Sequence, residues 1–478
     1  MSIKKIIIAI LMYSSLSACT KILDKEPEST LDGAERFNSI EDYEFSLLGA
    51  YALFRDTDYY GSFDGNSNAY VTLPDLLSDN FFESIESLGN ERVFSRWRYT
   101  KDETQIENTW LAAYRIISQA NLTLRGIERF EDSDPGAVNR IRGQALAIRA
   151  MVHFDVMRYW VEDYDRNSTA PGIPYISVFD YEQMPSRGTV KSTYDQILQD
   201  LYTALGNFEG VDYPVNTIDR SRMDEHVVHA LLARIHLYAN QPDSAIKYAT
   251  MVIDEFPLAS KDQFGLIWRD ASLAEVVWSY TFTAGQGRVA GHVYAPDINA
   301  AQYYPNLTLL QSYDPGDIRY DAYFRDVPDD YGDPRTTLVK YEAKITQIGK
   351  PDGVVNFKAF RTGEMYLVRA EAYLRKGGAF QTLAMDDLNT LRAARIVGYV
   401  PESLTGPALE EAIAFERRKE LVAEGHRWFD LKRTTRTINR TFCTSFCTLL
   451  PNDRAWTWPI PQPELDANPN IRPQNTGW

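Results

Sequence analysis

Cysteine is scarce in this sequence, with three in 478 residues. Three cannot staple a chain of that length, so the fold must rest on an apolar core. Positive charge is also short. Fifty Lys and Arg against 66 Asp and Glu leave a formal charge of −16. That balance excludes a nucleic-acid binder, because neutralising phosphates needs clustered cations. The six histidines are scattered and none sits beside a cysteine, so a zinc set lacks ligands. No EF-hand spacing offers a calcium loop. There is no GxSxG elbow, HExxH or Walker loop, and nothing marks two carboxylates as an acid and its ionised partner flanking a glycosidic bond. The expectation is a protein with no metal, no cofactor and no catalytic residues.

Long apolar runs are missing too, except at the very start. Lys4 and Lys5 precede Ile6-Ile7-Ile8-Ala9-Ile10-Leu11-Met12-Tyr13, a short positive region and a short apolar one, as in a secretory leader. A membrane span needs about 20 apolar residues, and Ser14 and Ser15 stop this run early. Leu16-Ser17-Ala18-Cys19 follows and looks like a lipobox: residues 1–18 would be removed and Cys19 acylated. At about 0.8 kcal/mol per buried CH₂, two or more acyl chains anchor a protein stably. Cys443 and Cys447 remain, spaced C-x₃-C. Export permits a disulfide between them, the alternative being two free thiols.

What the sequence does have is ordinary globular composition, 44% apolar and 24% charged, and helical periodicity. Phe37, Ile40, Leu47, Leu48, Tyr51 and Phe54 recur at helical spacing, as do Trp110, Tyr114, Ile117, Asn121 and Leu124 within Glu107–Phe130. Ile141, Ala145, Ile148, Val152, Val156 and Tyr159 form a stripe in Ile141–Trp160. His226–Pro257 reads as helix, turn, helix, with Ala233 and Ala245 twelve apart, a spacing like that of tetratricopeptide repeats. Glu364–Arg375 with Leu383–Arg395 is a similar pair. A final helix is expected over Leu409–Arg433, dense in i,i+4 ion pairs. His426 beside Glu424 and Asp430 could serve acid/base work, but a packed scaffold helix explains that run better. The prolines Pro459, Pro461 and Pro463 forbid helix in the tail. The fold class is therefore mostly α, with tetratricopeptide-like helix pairs as a scaffold over about 37–54, 107–257 and 360–435.

Between these lie two irregular regions, about 55–100 and 258–345. A long loop within a domain usually carries function. Residues 55–100 hold nine aromatics: Tyr59, Tyr60, Phe63, Tyr70, Phe81, Phe82, Phe94, Trp97 and Tyr99. That is about a fifth, against 13% overall, in a stretch without core periodicity. Flat rings with polar handles suit the C–H faces and hydroxyl edges of a pyranose. Trp268, Tyr280 and Tyr294 extend the same pattern. The candidate ligand contacts are Tyr59, Tyr60, Trp97, Tyr303 and Tyr304, assisted by Asp79 and Asn80. The competing reading of each ring is that it packs its loop onto the scaffold.

Several segments, in order, resemble the SusD/RagB family of outer-membrane nutrient-binding lipoproteins. Lys21-Ile22-Leu23-Asp24 and Gly49-Ala50-Tyr51 fit its opening, and Arg142–Ala150 with His153-Phe154 resembles its most recognisable helix. Ala230–Tyr238, Glu364–Ala372 and Leu388–Arg392 follow. The most specific match is Glu416–Arg433, succeeded by Trp458-Pro459-Ile460-Pro461 and Gln474–Trp478. The resemblance implies one SusD-like domain over 19–478, lipid-anchored at Cys19 in the outer membrane and facing outward. It also implies a SusC-like TonB-dependent barrel as partner, and an oligosaccharide, or in some members a peptide, as ligand. Two further hypotheses stand beside glycan capture: a tetratricopeptide-like scaffold that binds only protein partners, and a glycoside hydrolase.

Overall fold

Helix pairs form where the apolar stripes predict them. The computed structural model describes residues 37–62, 68–180, 182–211, 220–329, 331–441, 443 and 445–478. The leader, Cys19, Lys21–Asp24 and Phe63 lie outside the described residues. The scaffold runs α1 (Ile40–Leu53), α2 (Thr104–Leu124), α3 (Pro135–Trp160), α4 (Val190–Phe208), α5 (Glu225–Tyr238), α6 (Pro242–Glu255), α7 (Thr362–Lys376), α8 (Phe380–Arg395), α9 (Gly406–Glu420) and α10 (Arg427–Arg433). From α2 to α8 each helix packs on the next, so the hairpins stack into the expected repeat-like array.

Local chemistry sets the boundaries. α3 starts at Pro135, where a missing N–H costs nothing, and the Asp134 carboxylate accepts from Ala137 N–H. From Gly143 to Trp160 every residue of α3 is buried, as befits a helix enclosed by α2, α4 and the C-terminal segment. Gly143 permits this. A Cβ there would meet the Phe208 ring of α4 at 2.5 Å. The sequence reading assigned no separate helix to α4, yet Thr189 and Ser192 form a capping box at its start, and Tyr194, Ile197, Leu201 and Ala204 bury one face. Ala233 of α5 and Ala245 of α6 are buried between their paired helices.

Two expectations need correction. Leu409–Arg433 is not one helix: α9 ends at Glu420 and α10 begins at Arg427. Ala423 (φ 56°) and Gly425 (φ 81°) turn the chain between them, and a Cβ on Gly425 would strike the Tyr70 carbonyl oxygen at 2.0 Å. The carbonyls freed by this break accept from Tyr323 O–H, Lys340 Nζ, Tyr341 O–H and Arg158. The proline-rich tail does contain a helix, Gln462–Ala467, with Pro463 in its first turn, where proline is tolerated.

Strands are short and paired two by two, and those that bear on the site are β1 (Phe81–Glu83), β2 (Val276–Tyr280), β3 (Tyr303–Pro305), β4 (Phe324–Pro328), β5 (Pro334–Leu338) and β6 (Phe357–Arg361). β2 and β6 pair antiparallel and are buried throughout against α5. β1 pairs with β3, and β4 with β5.

The charges at the end of α9 are not surface i,i+4 pairs; the pair within the helix, Lys419 with Glu416 at 3.5 Å, is i,i+3 and buried. From Glu416 to Glu420 they are buried, and most reach across the chain. Glu420 receives Arg319 of the loop region, Arg361 of β6 and Arg395 of α8, at 3.0, 3.0 and 2.9 Å. Arg361 and Arg395 also share Glu275 at 2.7 and 2.8 Å. Glu424 takes Arg361 and Lys340, and Asp317 and Glu416 take Arg319.

Burial alone would raise the Glu420 carboxyl, but Arg395, Arg361 and Arg319 hold it far below its ordinary value. Glu416, opposed in the same way by burial, is brought down to about 2 by Arg319, Lys419 and Arg392. A carboxyl depressed in the folded state contributes stability above its unfolded pKa, and that contribution is lost as pH falls through the folded value. Denaturant melts should therefore show stability declining progressively below about pH 4.3, down past pH 2. Glu420→Gln, which orphans buried guanidiniums, should cost about 3–5 kcal/mol at neutral pH and make that decline shallower.

Candidate functional site

Both irregular regions of the sequence meet around β1 and β3. In their antiparallel register Phe82 stands opposite Tyr304, Phe81 opposite Pro305 and Glu83 opposite Tyr303. Side chains alternate across a strand. Phe81 therefore turns into the core while Phe82 and Tyr304 share the outer face, their rings 5.8 Å apart and edge to face. Tyr304 packs on a small satellite core of Tyr294, Ala301, Val327 and Val339, which gives these loops a floor of their own.

Hydrogen bonds stitch the neighbouring loop tips together. Ser84 Oγ donates to Ala301 O at 2.6 Å, and Ser84 N–H to Gln302 O at 2.9 Å. Arg335 of β5 pairs with Glu86 and donates to Asn299 O at 2.6 Å. Asn299 in turn donates to Pro328 O at 2.9 Å.

The loop 84–90, the turn 295–300 and the β4–β5 hairpin thus converge on one face. Each carries apolar side chains held out in solvent: Ile85 and Leu88 are each 83% exposed, Ile298 71% and Tyr331 84%. Tyr331 sits at the hairpin tip, where the Asp329 carboxylate accepts from the N–H groups of Tyr331 and Asp333 at 2.8 and 2.9 Å.

Beside Phe82 opens a cleft of about 640 Å³, walled by Phe81–Ile85, Arg92, Ser95, Arg96 and the segment around Arg440, Thr441, Cys443 and Ser445. Cys443 and Cys447 stand at its rim with Cα atoms 5.7 Å apart, within the span a disulfide bridges. Burial would raise the Glu83 carboxyl, but hydrogen bonds from Arg92 and Arg96 hold it below its ordinary value. The cleft's carboxylate is therefore kept ionised. Among the described residues no helix is long and apolar enough to cross a membrane.

Two family models match this chain. One, described as starch-binding associating with outer membrane, covers residues 56–237, and the other, described as the SusD family, covers 336–478. The chain belongs to the SusD/RagB family. It is similar to the SusD-like proteins P38 and P2 of Formosa agariphila, each 24% identical. P38 matches over 88% of this chain and 89% of its own length, and P2 over 98% of both. Among solved structures it resembles a SusD superfamily protein from Bacteroides thetaiotaomicron, with 25% identity and a TM-score of 0.80 over 91% of this chain and 99% of that one. It also resembles surface glycan-binding protein A from Bacteroides fluxus, with 20% identity and a TM-score of 0.74 over 92% and 100%.

Within this SusD-like fold most of the residues picked from sequence turn inward. Tyr59 is fully buried and donates to Asp155 at 2.6 Å, and Tyr60 is buried against Phe54 and Phe357. Tyr303 is buried with its hydroxyl on Asn90 O at 2.6 Å. Asn80 is buried between Asp75 and Arg418. The Asp79 carboxylate is taken by Arg427 at 2.7 and 2.9 Å. Trp97 donates to Leu77 O, and one ring face is covered by Arg440 at 4.0 Å. Tyr59, Tyr60, Tyr303 and Asn80, so enclosed, have no face left for a ligand, which corrects those four expectations, whereas Asp79 and Trp97 are half-buried with polar atoms already engaged. Trp268, Tyr280 and Tyr294 are core residues too. Tyr304 alone stands on the open face.

Sequence reasoning did not choose Phe82, Ile85, Leu88, Ile298 or Tyr331. The signal for Tyr331 was present: an aromatic inside Asp329-Asp330-Tyr331-Gly332-Asp333 sits in turn chemistry that keeps it at a loop tip. His426 is buried and held neutral, pushed well down by burial and by the charges of Arg234 and Arg417, so it offers no acid/base chemistry at a surface. Tyr59→Ala should cost about 3–5 kcal/mol of stability, whereas Phe82→Ala should stay within about 1 kcal/mol. Paired denaturant melts separate the two roles.

Proposed function

We propose that this chain captures oligosaccharides at the outer face of the outer membrane and passes them to a SusC-like TonB-dependent barrel. The observation that carries this reading is the open face built by Phe82, Tyr304 and Tyr331 with Ile85, Leu88 and Ile298. Rings that are half-buried, as Phe82 and Tyr304 are, or fixed at a loop tip, as Tyr331 is, lose little freedom when a sugar stacks on them. Family membership supports the location, since one matching model is described as associating with the outer membrane, and a structural neighbour is a surface glycan-binding protein.

The same geometry favours binding over hydrolysis. A glycosidase needs one carboxyl with a raised pKa, whereas Glu83, the carboxylate in the cleft wall, is held down by two arginines. Anchoring through acylated Cys19 would keep the body at the surface, with affinities in the range of about micromolar to millimolar for so open a site.

Calorimetry and gel retardation against a panel of oligosaccharides and peptides test this. Phe82→Ala and Tyr331→Ala should each weaken glycan binding about 2–10-fold, the worth of one stacked ring, with stability held within about 1 kcal/mol. Binding to peptides and to no sugar, or release of sugar products by the purified chain, would overturn it. Replacing Cys19 with Ser should abolish lipid labelling and shift the chain out of the membrane fraction.

A further inference from the structure

The cleft beside Phe82 has charge of the opposite sign to the protein as a whole. The chain carries −16 overall, yet the cleft wall sets Arg92, Arg96 and Arg440 against Glu83. Glu83 is shared by two guanidiniums, Arg92 Nε at 2.6 Å and Arg96 Nη2 at 2.8 Å, so one carboxylate meets two positive charges. Arg440 spends its donors on carbonyl oxygens, those of Leu76, Leu77, Ser78 and Ser95. Carbonyls satisfy N–H groups without cancelling a charge.

Neighbouring acids do not redress the balance. Asp79 is engaged by both Arg427 and Arg418, at 2.7 and 3.6 Å. Glu86 is paired with Arg335, and even with the buried Glu91 near Tyr303 counted, the three arginines of the wall outnumber Glu83 and Glu91. The side chains of Arg92 and Arg96 remain 45% and 38% exposed, within reach of a ligand in the cleft.

We propose that this cleft selects glycans bearing anionic groups, carboxylates or sulfate esters, while the rings and apolar tips beside it hold the sugar. The inference rests on the glycan reading above and narrows it. Arginine suits the task because its planar fork can meet a carboxylate or sulfate with two parallel hydrogen bonds.

Two matched pairs of probes test it by calorimetry on the purified full chain. Oligogalacturonate is set against its methyl ester, which keeps the rings and masks the charge, and dextran sulfate against dextran. In at least one pair the charged member should bind about tenfold tighter at low salt, with the gap shrinking as salt screens it. The Arg92→Gln/Arg96→Gln variant should close the gap. Glu83→Gln, which frees both guanidiniums, should widen it, and the Arg92→Lys/Arg96→Lys variant should keep its salt dependence. Equal binding within both pairs, preference for the neutral members, or a gap that the double Gln variant leaves unchanged overturns the proposal. So does binding confined to other neutral oligosaccharides, although the glycan reading then survives. A chain that binds no sugar of any kind fails both.

Discussion

Glu420 and the three arginines around it join four parts of the chain that lie far apart in sequence. Arg319 comes from the loop region, Arg361 from the end of β6, Arg395 from the end of α8, and Glu420 itself closes α9. Removing so many charges from water costs several kcal/mol per ion, and an apolar cluster of equal volume would stabilise as much or more. What the ions add is geometry. A guanidinium fork accepts carboxylates in few orientations, so a slip of β6 or α8 would leave a charge buried without its partner. The break between α9 and α10 belongs to the same device, because it brings Glu424 within reach of Arg361 and Lys340.

The open face depends on that geometry through a second tier of cations. Arg418 and Arg427, on either side of the break, hold Asn80 and Asp79 at the root of β1. Arg440 pins the carbonyls that lead into the same strand. Arg335 ties the β4–β5 hairpin to Glu86. Loops that would otherwise lose much entropy on binding are braced before a ligand arrives.

The helical scaffold was legible because burial on one face imposes a period, and Ile141–Trp160 or His226–Pro257 show it plainly. The limits of α9 were not, since the carbonyls freed by its break are satisfied by side chains 82 to 267 residues away. The open face was legible as a region and mostly not as residues. Aromatic density in 55–100 marked loops that do come together around β1 and β3, but burying a ring is favourable wherever room exists. Tyr59, Tyr60 and Tyr303 followed that gradient inward. A ring stays outside only where the backbone cannot carry it in: at a tip fixed by turn residues, as for Tyr331, or on the outer side of a strand whose inner side is filled, as for Phe82 opposite Phe81.

The same contrast between whole and part governs the charge. An acidic protein repels a polyanion at a distance, but at physiological ionic strength that repulsion fades over about 8 Å. A cleft with an excess of arginine acts inside that length, where the remote acids are screened and the local guanidiniums are not. Net charge therefore bears on how often an anionic chain approaches, whereas the few cations at the cleft wall bear on how long it stays. Composition alone reads only the first of these.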